Sequence, residues 1–340
     1  MKNFFEKRIV ESSMLDFSNN FNEICIPVEI RRDRLINRVS RVIRFRLRGL
    51  EGFRNAGMIE KSKSSCPFCP DHIEKSTPKF CESLIPEGRI RFGEATVLPN
   101  AFPYSKYCGV TVFSKRHFIP LEDFSPEILF NALKASTIFI DRVHRQDDQV
   151  SHASINWNYM PVAGGGLVHP HLQAVVSPRP THFQDRLIEA SAAYRRSQNR
   201  NCWADLVALE KSEGERYLFQ QDEVEFLSAF CPKGMIGEIV AVFTGKTGLK
   251  DLSDAVLNSF ASGLARVIRG LKKFNVNGLN MSLLISLKEE NELWIQARII
   301  PRMALPPWGT SDVNYFEKGH DEVIVMLPPE ELARALRNTE

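Results

Sequence analysis

The apolar and polar positions of this chain follow the same order twice. Residues 97–126 read as two apolar strands joined by a turn, followed by an amphipathic helix that begins after Ser125. Residues 226–254 read in the same order, with a helix that begins after Ser253. A serine at this position caps a helix because its hydroxyl accepts a backbone N–H of the first turn. The repeated pattern predicts a duplicated unit.

Each predicted helix leads to two further strands. These strands span residues 153–159 and 169–177 in the first half and residues 279–286 and 293–300 in the second. This order of strands and helices indicates an α+β fold, in which antiparallel sheets or half-barrels are flanked by helices. Similar turn residues could recur by coincidence, but the matching order of the elements favours a duplication.

The repeat divides the chain into four parts. We expect an N-terminal extension over residues 1–60, a first module over residues 61–181 and a second, degenerate module over residues 217–340. Residues 182–216, between the modules, are rich in Ala, Arg and Glu, which indicates a helical insertion with a break near Asn199.

Composition limits the function classes without choosing among them. The 340 residues are 43% hydrophobic and 25% charged, and their formal net charge is +3. These values are ordinary for a globular protein and do not indicate a nucleic-acid partner. The basic cluster from Arg31 to Arg48 is interleaved with apolar residues, so it is either a solvated face or the source of a phosphate contact.

The chain shows no apolar run long enough to span a bilayer, and its start lacks a secretory signal. It contains seven cysteines, an odd number that does not suggest a disulfide framework. We therefore expect reduced thiols, a cytoplasmic location and no membrane partner.

A His-Pro-His-Leu-Gln motif at residues 169–173 follows a segment that opens with three glycines, residues 164–166. If a strand hosts the motif, its two histidines and its glutamine share one face, because alternate strand residues point the same way. Glycines let a backbone come close to a phosphate. His171 is then a candidate nucleophile on a nucleotide phosphorus, and Gln173 a neutral donor to its oxygens. The alternative is a packed strand with chance histidines.

Cys66 and Cys69 have the two-residue spacing that lets two thiolates face one metal ion. Two imidazoles would complete a closed, structural tetrahedral zinc site. The candidates for these further ligands are His72, His117 and His169, with Cys81 and Cys108 as less suitable ones. A redox pair or two plain buried thiols remain alternatives, although prolines fragment the segment and no thioredoxin-like pattern surrounds it.

Several of these pieces together resemble one known family. The pieces are Cys66-x-x-Cys69, Thr77-Pro78, Leu98-Pro99-Asn100-x-Phe102-Pro103, His117, Asn158 and His169-Pro170-His171-x-Gln173. In this order they resemble the galactose-1-phosphate uridylyltransferases of the histidine-triad superfamily, in which two related half-barrel modules form one chain. The resemblance covers roughly residues 60 to 330, and the joint occurrence is far more specific than any single motif.

The resemblance implies a role for each matching residue. It implies zinc as cofactor, with Cys66, Cys69, His117 and His169 as ligands. It implies that His171 carries the nucleotide as a covalent intermediate and that Gln173 binds the phosphate of that intermediate. Asn100 and Asn158 match positions that contact the nucleotide. Apart from the resemblance, the glycine-rich segment makes Gly165 and Gly166 candidate substrate-binding residues, because its backbone can come close to the phosphate.

The sequence also departs from the family. Gly166 stands where the uridylyltransferases carry a serine that helps to hold the phosphate. Leu172 is more like the residue of the dinucleoside polyphosphate phosphorylases. Gln296 and Arg298 stand in the strand where the family's second metal site has histidines, so we expect that site to be missing.

The resulting expectation is a zinc-containing nucleotidyltransferase that works through His171. The resemblance favours uridylyl transfer between a UDP-hexose and a hexose 1-phosphate, as in galactose metabolism. One alternative is a phosphorylase that cleaves a dinucleoside polyphosphate or an ADP-sugar with inorganic phosphate. Another is a non-catalytic nucleotide-binding regulator. The expected partners are a nucleoside diphosphate sugar, a sugar phosphate or inorganic phosphate, and a second copy of the chain in a homodimer.

Overall fold

A long β-hairpin begins the described part of the chain. The structure, a computed structural model, describes residues 4–43, 56–288, 292–305 and 309–339. Strands β1 (Phe5–Asp16), β2 (Asn22–Asp33), β3 (Arg38–Ile43) and β16 (Val323–Val325) form a sheet in the order β1-β2-β3-β16. The last residues of the basic cluster, up to Arg48, lie outside the described residues.

The main sheet has ten strands in the described part of the chain. They are β4 (Ile90–Phe92), β5 (Ala95–Pro99), β6 (Tyr107–Val112), β7 (His152–Tyr159), β8 (His171–Ser177), β9 (Tyr217–Gln221), β10 (Val224–Ser228), β11 (Ile239–Phe243), β12 (Gly278–Ser286) and β13 (Gln296–Arg302). Their order is β4-β5-β6-β8-β7-β12-β13-β11-β10-β9, and all neighbours are antiparallel. Strands β14 (Ala304–Leu305) and β15 (Thr310–Ser311) form a separate pair.

This strand order repeats itself around the β7–β12 pair at its centre. From that pair outward, β8, β6, β5 and β4 follow on one side, and β13, β11, β10 and β9 follow on the other. Each half therefore has the same connectivity, as a duplicated module does. The predicted fold class, duplicated histidine-triad-like modules with antiparallel sheets and flanking helices, is confirmed.

Two long helices cover one face of the main sheet. The described helices are α1 (Ala56–Lys63), α2 (Pro70–Ser76), α3 (Pro126–Gln146), α4 (His182–Gln198), α5 (Cys202–Glu213), α6 (Asp254–Leu271), α7 (Tyr315–His320) and α8 (Pro329–Arg337). Helices α3 and α6 bury their apolar sides in the largest core cluster. Their predicted caps are confirmed, since Ser125 Oγ accepts from Ile128 N and Ser253 Oγ accepts from Val256 N, each at 3.3 Å.

The other face of the sheet differs between the halves. In the second half it is covered by α4, α5 and the N-terminal segment, which share an apolar cluster with sheet residues such as Val240 and Val242. The expected helical insertion is thus two helices, and Asn199, in the left-handed region at φ 53°, ends the first of them. In the first half the same face carries the histidine motif. No helix in the described ranges is long and apolar enough to cross a membrane.

Two predicted strands begin later in the structure than the pattern suggested. The strand of the histidine motif begins at His171 rather than at residue 169, because Pro170 has no N–H for a ladder bond. The last strand of the second half begins at Gln296 rather than at residue 293. His169 therefore lies just before β8 and not within it.

Candidate active site

His171 begins β8 on the sheet face opposite α3. Leu172, Ala174 and Val176 alternate with the motif residues and enter the core that α3 covers. His171 Nδ1 lies 2.9 Å from the carbonyl oxygen of His169. A carbonyl oxygen can only accept, so Nδ1 carries the proton and Nε2 keeps a free lone pair.

The surroundings of His171 favour its neutral form. The side chain is 7% exposed, and the ring of Phe68 meets it nearly edge-on with 5.3 Å between centroids. Burial lowers the pKa of His171 below its usual value. The imidazole is therefore an unprotonated base with one available nitrogen, as a nucleophile requires.

Cys66, Cys69, His117 and His169 converge on one point beside the histidine motif. Their ligand atoms are buried and all lie within 4.8 Å of one another. Cys69 Sγ lies 3.3 Å from His117 Nδ1 and 3.8 Å from His169 Nδ1. Cys66 Sγ lies 3.6 Å from His169 Nδ1. Together these residues could hold a metal ion.

Hydrogen bonds to Nε2 fix both histidine rings of this cluster on the side away from the thiols. His169 Nε2 donates to the carbonyl of Ser114 at 2.9 Å. His117 Nε2 lies 2.9 Å from Ser62 Oγ and 3.2 Å from the carbonyl of Ile59. These bonds leave each Nδ1 unprotonated and aimed at the thiols, which is the usual arrangement of metal-binding histidines. Burial lowers the pKa of His169 to about 4, so its ring is neutral.

The thiols need a cationic partner in order to ionise. Burial and the neighbouring Cys66 thiol raise the pKa of Cys69 to about 11. A metal ion would replace the thiol protons, because the thiolate is the ligand form. The other candidate ligands stay outside the cluster: His72 Nδ1 bonds the Cys66 carbonyl at 2.9 Å, Cys81 is exposed, and Cys108 is buried elsewhere.

The glycine-rich loop between β7 and β8 is closely packed at one position and open at the next. Gly164 has a φ of +83°, and Met160 also has a positive φ, at 69°. A Cβ at Gly165 would lie 2.8 Å from the carbonyl oxygen of Asn158 and 3.0 Å from that of Met160. A Cβ at Gly166 would meet nothing within 4 Å. Backbone packing thus requires glycine at residue 165 but not at residue 166.

Asn158 lies beside His171 in the sheet. Trp157 of β7 is paired with Leu172 of β8, which places the next residue of β7 beside the preceding residue of β8. Asn158 Oδ1 accepts a 2.8 Å hydrogen bond from Nδ2 of Asn280, a residue of β12. The structure therefore brings Asn158 together with the histidine motif.

Asn100 lies farther away, at the end of β5. Its backbone N–H donates to the carbonyl of Cys108 in β6. Cys108 is in turn paired with Val175 of β8. Asn100 is therefore two strands and four residues away from His171, about 16 Å by strand geometry. A contact from Asn100 would have to reach the part of a nucleotide remote from His171.

A row of polar residues crosses the sheet, and the motifs did not indicate two of its members, Asn156 and Ser282. Gln173 pairs with Asn156, Asn156 pairs with Ser282, and Ser282 pairs with Arg298. The row joins the histidine motif to the second half. The signal in the sequence was the alternation of polar residues along β7, at Ser154, Asn156 and Asn158, which a strand buried on both faces would not carry.

In the second half, Gln296 and Arg298 belong to a buried ionic cluster. Arg298 donates to Gln296 Oε1 at 2.9 Å and to Glu238 Oε1 at 3.1 Å. Glu238 Oε2 accepts from Arg38 Nη2 at 2.7 Å. Although burial alone would raise the pKa of Glu238, the guanidinium groups of Arg38 and Arg298 lower it to about 2. The missing second metal site stays a prediction.

Three arginines of the N-terminal basic cluster are engaged within the protein. Arg31 pairs with Glu330 at 2.8 Å, and Arg41 pairs with Glu322 at 2.7 Å. Arg38 is bound by the Glu238 carboxylate. These ion pairs favour a structural role for the three arginines over a phosphate contact.

The chain is similar to one curated protein over nearly its full length. An uncharacterised protein of Archaeoglobus fulgidus is 30% identical over 315 residues, which are 91% of this chain and 92% of that protein. No protein-family model matches the chain.

Three solved structures share the fold at 18% sequence identity. A GalT-like protein of Arabidopsis thaliana has a TM-score of 0.70, and an ADP-glucose phosphorylase of Arabidopsis thaliana, solved with ADP-glucose, has a TM-score of 0.68. Each match covers 92% of this chain and 99% of the other. A uridylyltransferase has a TM-score of 0.65, covering 91% of this chain and 97% of that chain. These similarities confirm the fold that the resemblance implied.

Proposed function

Because the chain belongs to the same family as the Archaeoglobus fulgidus protein and has the fold of the GalT-like structures, we propose that it is a nucleotidyltransferase acting through His171. The observation that carries the proposal is the state of this side chain. His171 is a buried, neutral imidazole whose Nδ1 proton is tied to a carbonyl and whose Nε2 is free. It lies beside Asn158 and next to a glycine-rich loop.

The transfer would take two displacements at the same phosphorus. In the first, the Nε2 lone pair of His171 attacks the α-phosphorus of a nucleoside diphosphate sugar, and the bond from that phosphorus to the bridging oxygen breaks. The sugar phosphate leaves with the bond electrons. In the second, a phosphate oxygen of the acceptor attacks the same phosphorus and the P–N bond breaks. The carbonyl of His169 stabilises the imidazolium of the intermediate, since it accepts the hydrogen bond from Nδ1.

Neutral donors fit the charge of the intermediate. Gln173 projects from the same strand face as His171, and its amide can donate to a phosphate oxygen without losing a proton. Asn158 and the backbone N–H of Gly166 supply further candidate donors near the same phosphate. The backbone N–H of Gly165 is bonded to the Met160 carbonyl at 3.1 Å, so Gly165 would contribute by letting the backbone come close to the phosphate. We propose these residues as the phosphate site and Asn100 as a contact to a remote part of the nucleotide.

Zinc is the metal that fits the four-residue cluster. Two thiolates and two imidazoles are a usual donor set for structural zinc, and tetrahedral ligands at zinc distances would be about 3.6 Å apart. The three S–N distances of 3.3, 3.6 and 3.8 Å agree with this value. Bound zinc would fix His169 and the segments that carry Cys66 and His117, while His169 in turn holds the Nδ1 proton of His171.

For the substrates, uridylyl transfer between a UDP-hexose and a hexose 1-phosphate is our first candidate. The second is phosphorolysis of an ADP-sugar, which is favoured by the similarity to the ADP-glucose phosphorylase and by the lack of a hydroxyl at Gly166. Leu172 does not discriminate between them. Its side chain is 1% exposed and packs in the core, away from the motif face.

Intact-protein mass spectrometry tests the proposal. The wild-type protein is incubated with UDP-glucose, UDP-galactose, ADP-glucose and diadenosine tetraphosphate in turn. We expect a covalent adduct that adds the mass of one uridylyl or adenylyl group, which is UMP or AMP less one water. Its loss on addition of a hexose 1-phosphate or inorganic phosphate identifies the acceptor. Peptide mapping should place the adduct on His171, and the His171→Gly variant should carry none. Binding of these nucleotides without any adduct would support a non-catalytic regulator instead.

A further inference from the structure

Asn280, in the second half of the chain, contacts two parts of the proposed phosphate site in the first half. Its Nδ2 donates to Asn158 Oδ1 at 2.8 Å and to the carbonyl of Ala163 at 2.7 Å. Ala163 directly precedes the glycines of the loop, and Asn280 pairs with Asn158 across the central β12–β7 contact. One amide group thus connects the β7 asparagine with the start of the glycine-rich loop.

The orientation of the Asn280 amide is fixed chemically from both ends. The Ala163 carbonyl can only accept, so the Asn280 atom facing it must be the NH2 group. On the other side, Arg302 Nη1 can only donate, so the Asn280 atom 2.8 Å away must be the oxygen. Neither contact would survive a flip of the amide.

This orientation in turn fixes Asn158. Because Asn280 Nδ2 is a donor, the Asn158 atom that it contacts must be the amide oxygen. The NH2 group of Asn158 is therefore turned away from Asn280 and has no partner among the described residues. It can donate to an anionic ligand beside His171.

Arg302 is itself held in place by a buried carboxylate. Its Nε donates to Asp312 Oδ1 at 2.7 Å, and the Asp312 side chain is 2% exposed. The chain of contacts runs from Asp312 through Arg302 and Asn280 to Asn158. All members except Asn158 belong to the second half.

We propose that Asn280 and Arg302 are positioning residues that make Asn158 a hydrogen-bond donor to the α-phosphate of the bound nucleotide. The inference rests on the proposed function for the identity of the ligand. It assigns the second half, which lacks its own histidine motif, an indirect part in nucleotide recognition. Asn280 and Arg302 need not touch the nucleotide, since they act through Asn158.

The test is a double-mutant cycle on nucleotide affinity, which requires no turnover. AMP and UMP are titrated calorimetrically into the zinc-loaded wild-type protein, Asn158→Ala, Asn280→Ala and the double variant. Loss of one hydrogen bond to a charged phosphate should weaken binding about tenfold or more in each single variant. The double variant should be no weaker than Asn158→Ala, because Asn280 acts only through the missing amide.

Further variants separate positioning from stability. Asn258→Ala removes an exposed asparagine of α6, also in the second half, and should bind both nucleotides as the wild type does. If Asn280→Ala does not fold, Arg302→Lys replaces it, because this change loses the guanidinium geometry and keeps the charge. Arg302→Lys should weaken nucleotide affinity when Asn158 is present and should have no further effect in the Asn158→Ala background. Thermal unfolding of each variant verifies that it is folded at the titration temperature.

The outcomes distinguish this inference from the proposed function. Wild-type affinity in Asn280→Ala, or equal losses with and without Asn158, would overturn the inference and leave the His171 adduct unaffected. A wild-type protein that binds neither AMP nor UMP would also overturn it. A non-additive cycle in a protein that forms no adduct would support the positioning role and refute the covalent mechanism.

Discussion

Gln296 holds in the second half of the sheet the position that His171 holds in the first. Val112 of β6 is opposite His171, and Val242 of β11, the corresponding strand, is opposite Gln296. By the same register Arg298 corresponds to Gln173. Of these two equivalent positions only the first therefore carries a candidate nucleophile, His171, and the second is occupied by the ionic cluster around Glu238.

Gln173 should contribute to the rate without being essential. We expect Gln173→Ala to form the covalent adduct about 10- to 150-fold more slowly, because one hydrogen bond to a charged group is worth about 1.5–3 kcal/mol. Single-turnover labelling, followed by mass spectrometry, gives this rate. His171→Gly, measured beside it, should show no label at all, and added imidazole could then accept the nucleotide in its place. Equal residual rates in the two variants would mean that His171 is not the nucleophile.

Two adjacent glycines of the loop, Gly165 and Gly166, should respond differently to the same change. Gly165→Ala forces a Cβ to within 2.8 Å of the Asn158 carbonyl, so we expect a loss of stability of about 1–3 kcal/mol and strongly reduced labelling. Gly166→Ala places its Cβ in open space and should stay within about 0.5 kcal/mol of the wild type. Urea unfolding of the pair measures both effects. A Gly165→Ala variant as stable as Gly166→Ala would contradict the packing of this loop.

The sequence could predict the parts of the site that depend on local spacing. Cys66 and Cys69 lie in one turn, and His169 and His171 are two residues apart, so spacing alone indicated their chemistry. Asn280 could not be found in this way. It is 122 residues from Asn158, and only the pairing of β7 with β12 brings the two side chains together.

The four-residue cluster should bind one zinc ion per chain. We expect metal analysis of the wild-type protein to give one equivalent of zinc, and Cys66→Ser to lose it together with much of its thermal stability, since structural zinc contributes directly to folding. Cys81→Ser, which changes an exposed thiol outside the cluster, should keep the metal. A second equivalent in the wild type would contradict the predicted loss of the second metal site, at Gln296 and Arg298.

Glu238 should be among the most important single side chains for stability. It is fully buried and compensates two buried guanidinium groups, those of Arg38 and Arg298. Removing one partner of a buried ion pair leaves an uncompensated charge, so we expect Glu238→Ala to lower the free energy of unfolding by about 3–5 kcal/mol. The matched control is Glu223→Ala, which breaks a surface ion pair with Lys246 and should cost less than about 1 kcal/mol. Similar unfolding midpoints for the two variants would refute the importance of the cluster.

The rate of adduct formation should fall only slightly between pH 8 and pH 6, because burial lowers the pKa of His171. The neutral imidazole is the reactive form, and a depressed pKa keeps it neutral until the pH falls below the ordinary range of histidine. A free imidazole with a pKa of about 6.5 would be only about a quarter neutral at pH 6. We therefore expect the single-turnover rate at pH 6 to be clearly more than a quarter of the rate at pH 8.

The measurement is a pH series from 8 to 5, with zinc content and folding verified at each pH. Gln173→Ala removes no titratable group, so its profile should have the same midpoint as the wild type at a lower plateau. A midpoint at or above about 6.5 in both proteins would show that the reacting histidine is solvated and not held as His171 is in this structure. A midpoint that differs between Gln173→Ala and the wild type would show instead that a step other than attack by the imidazole limits the labelling rate.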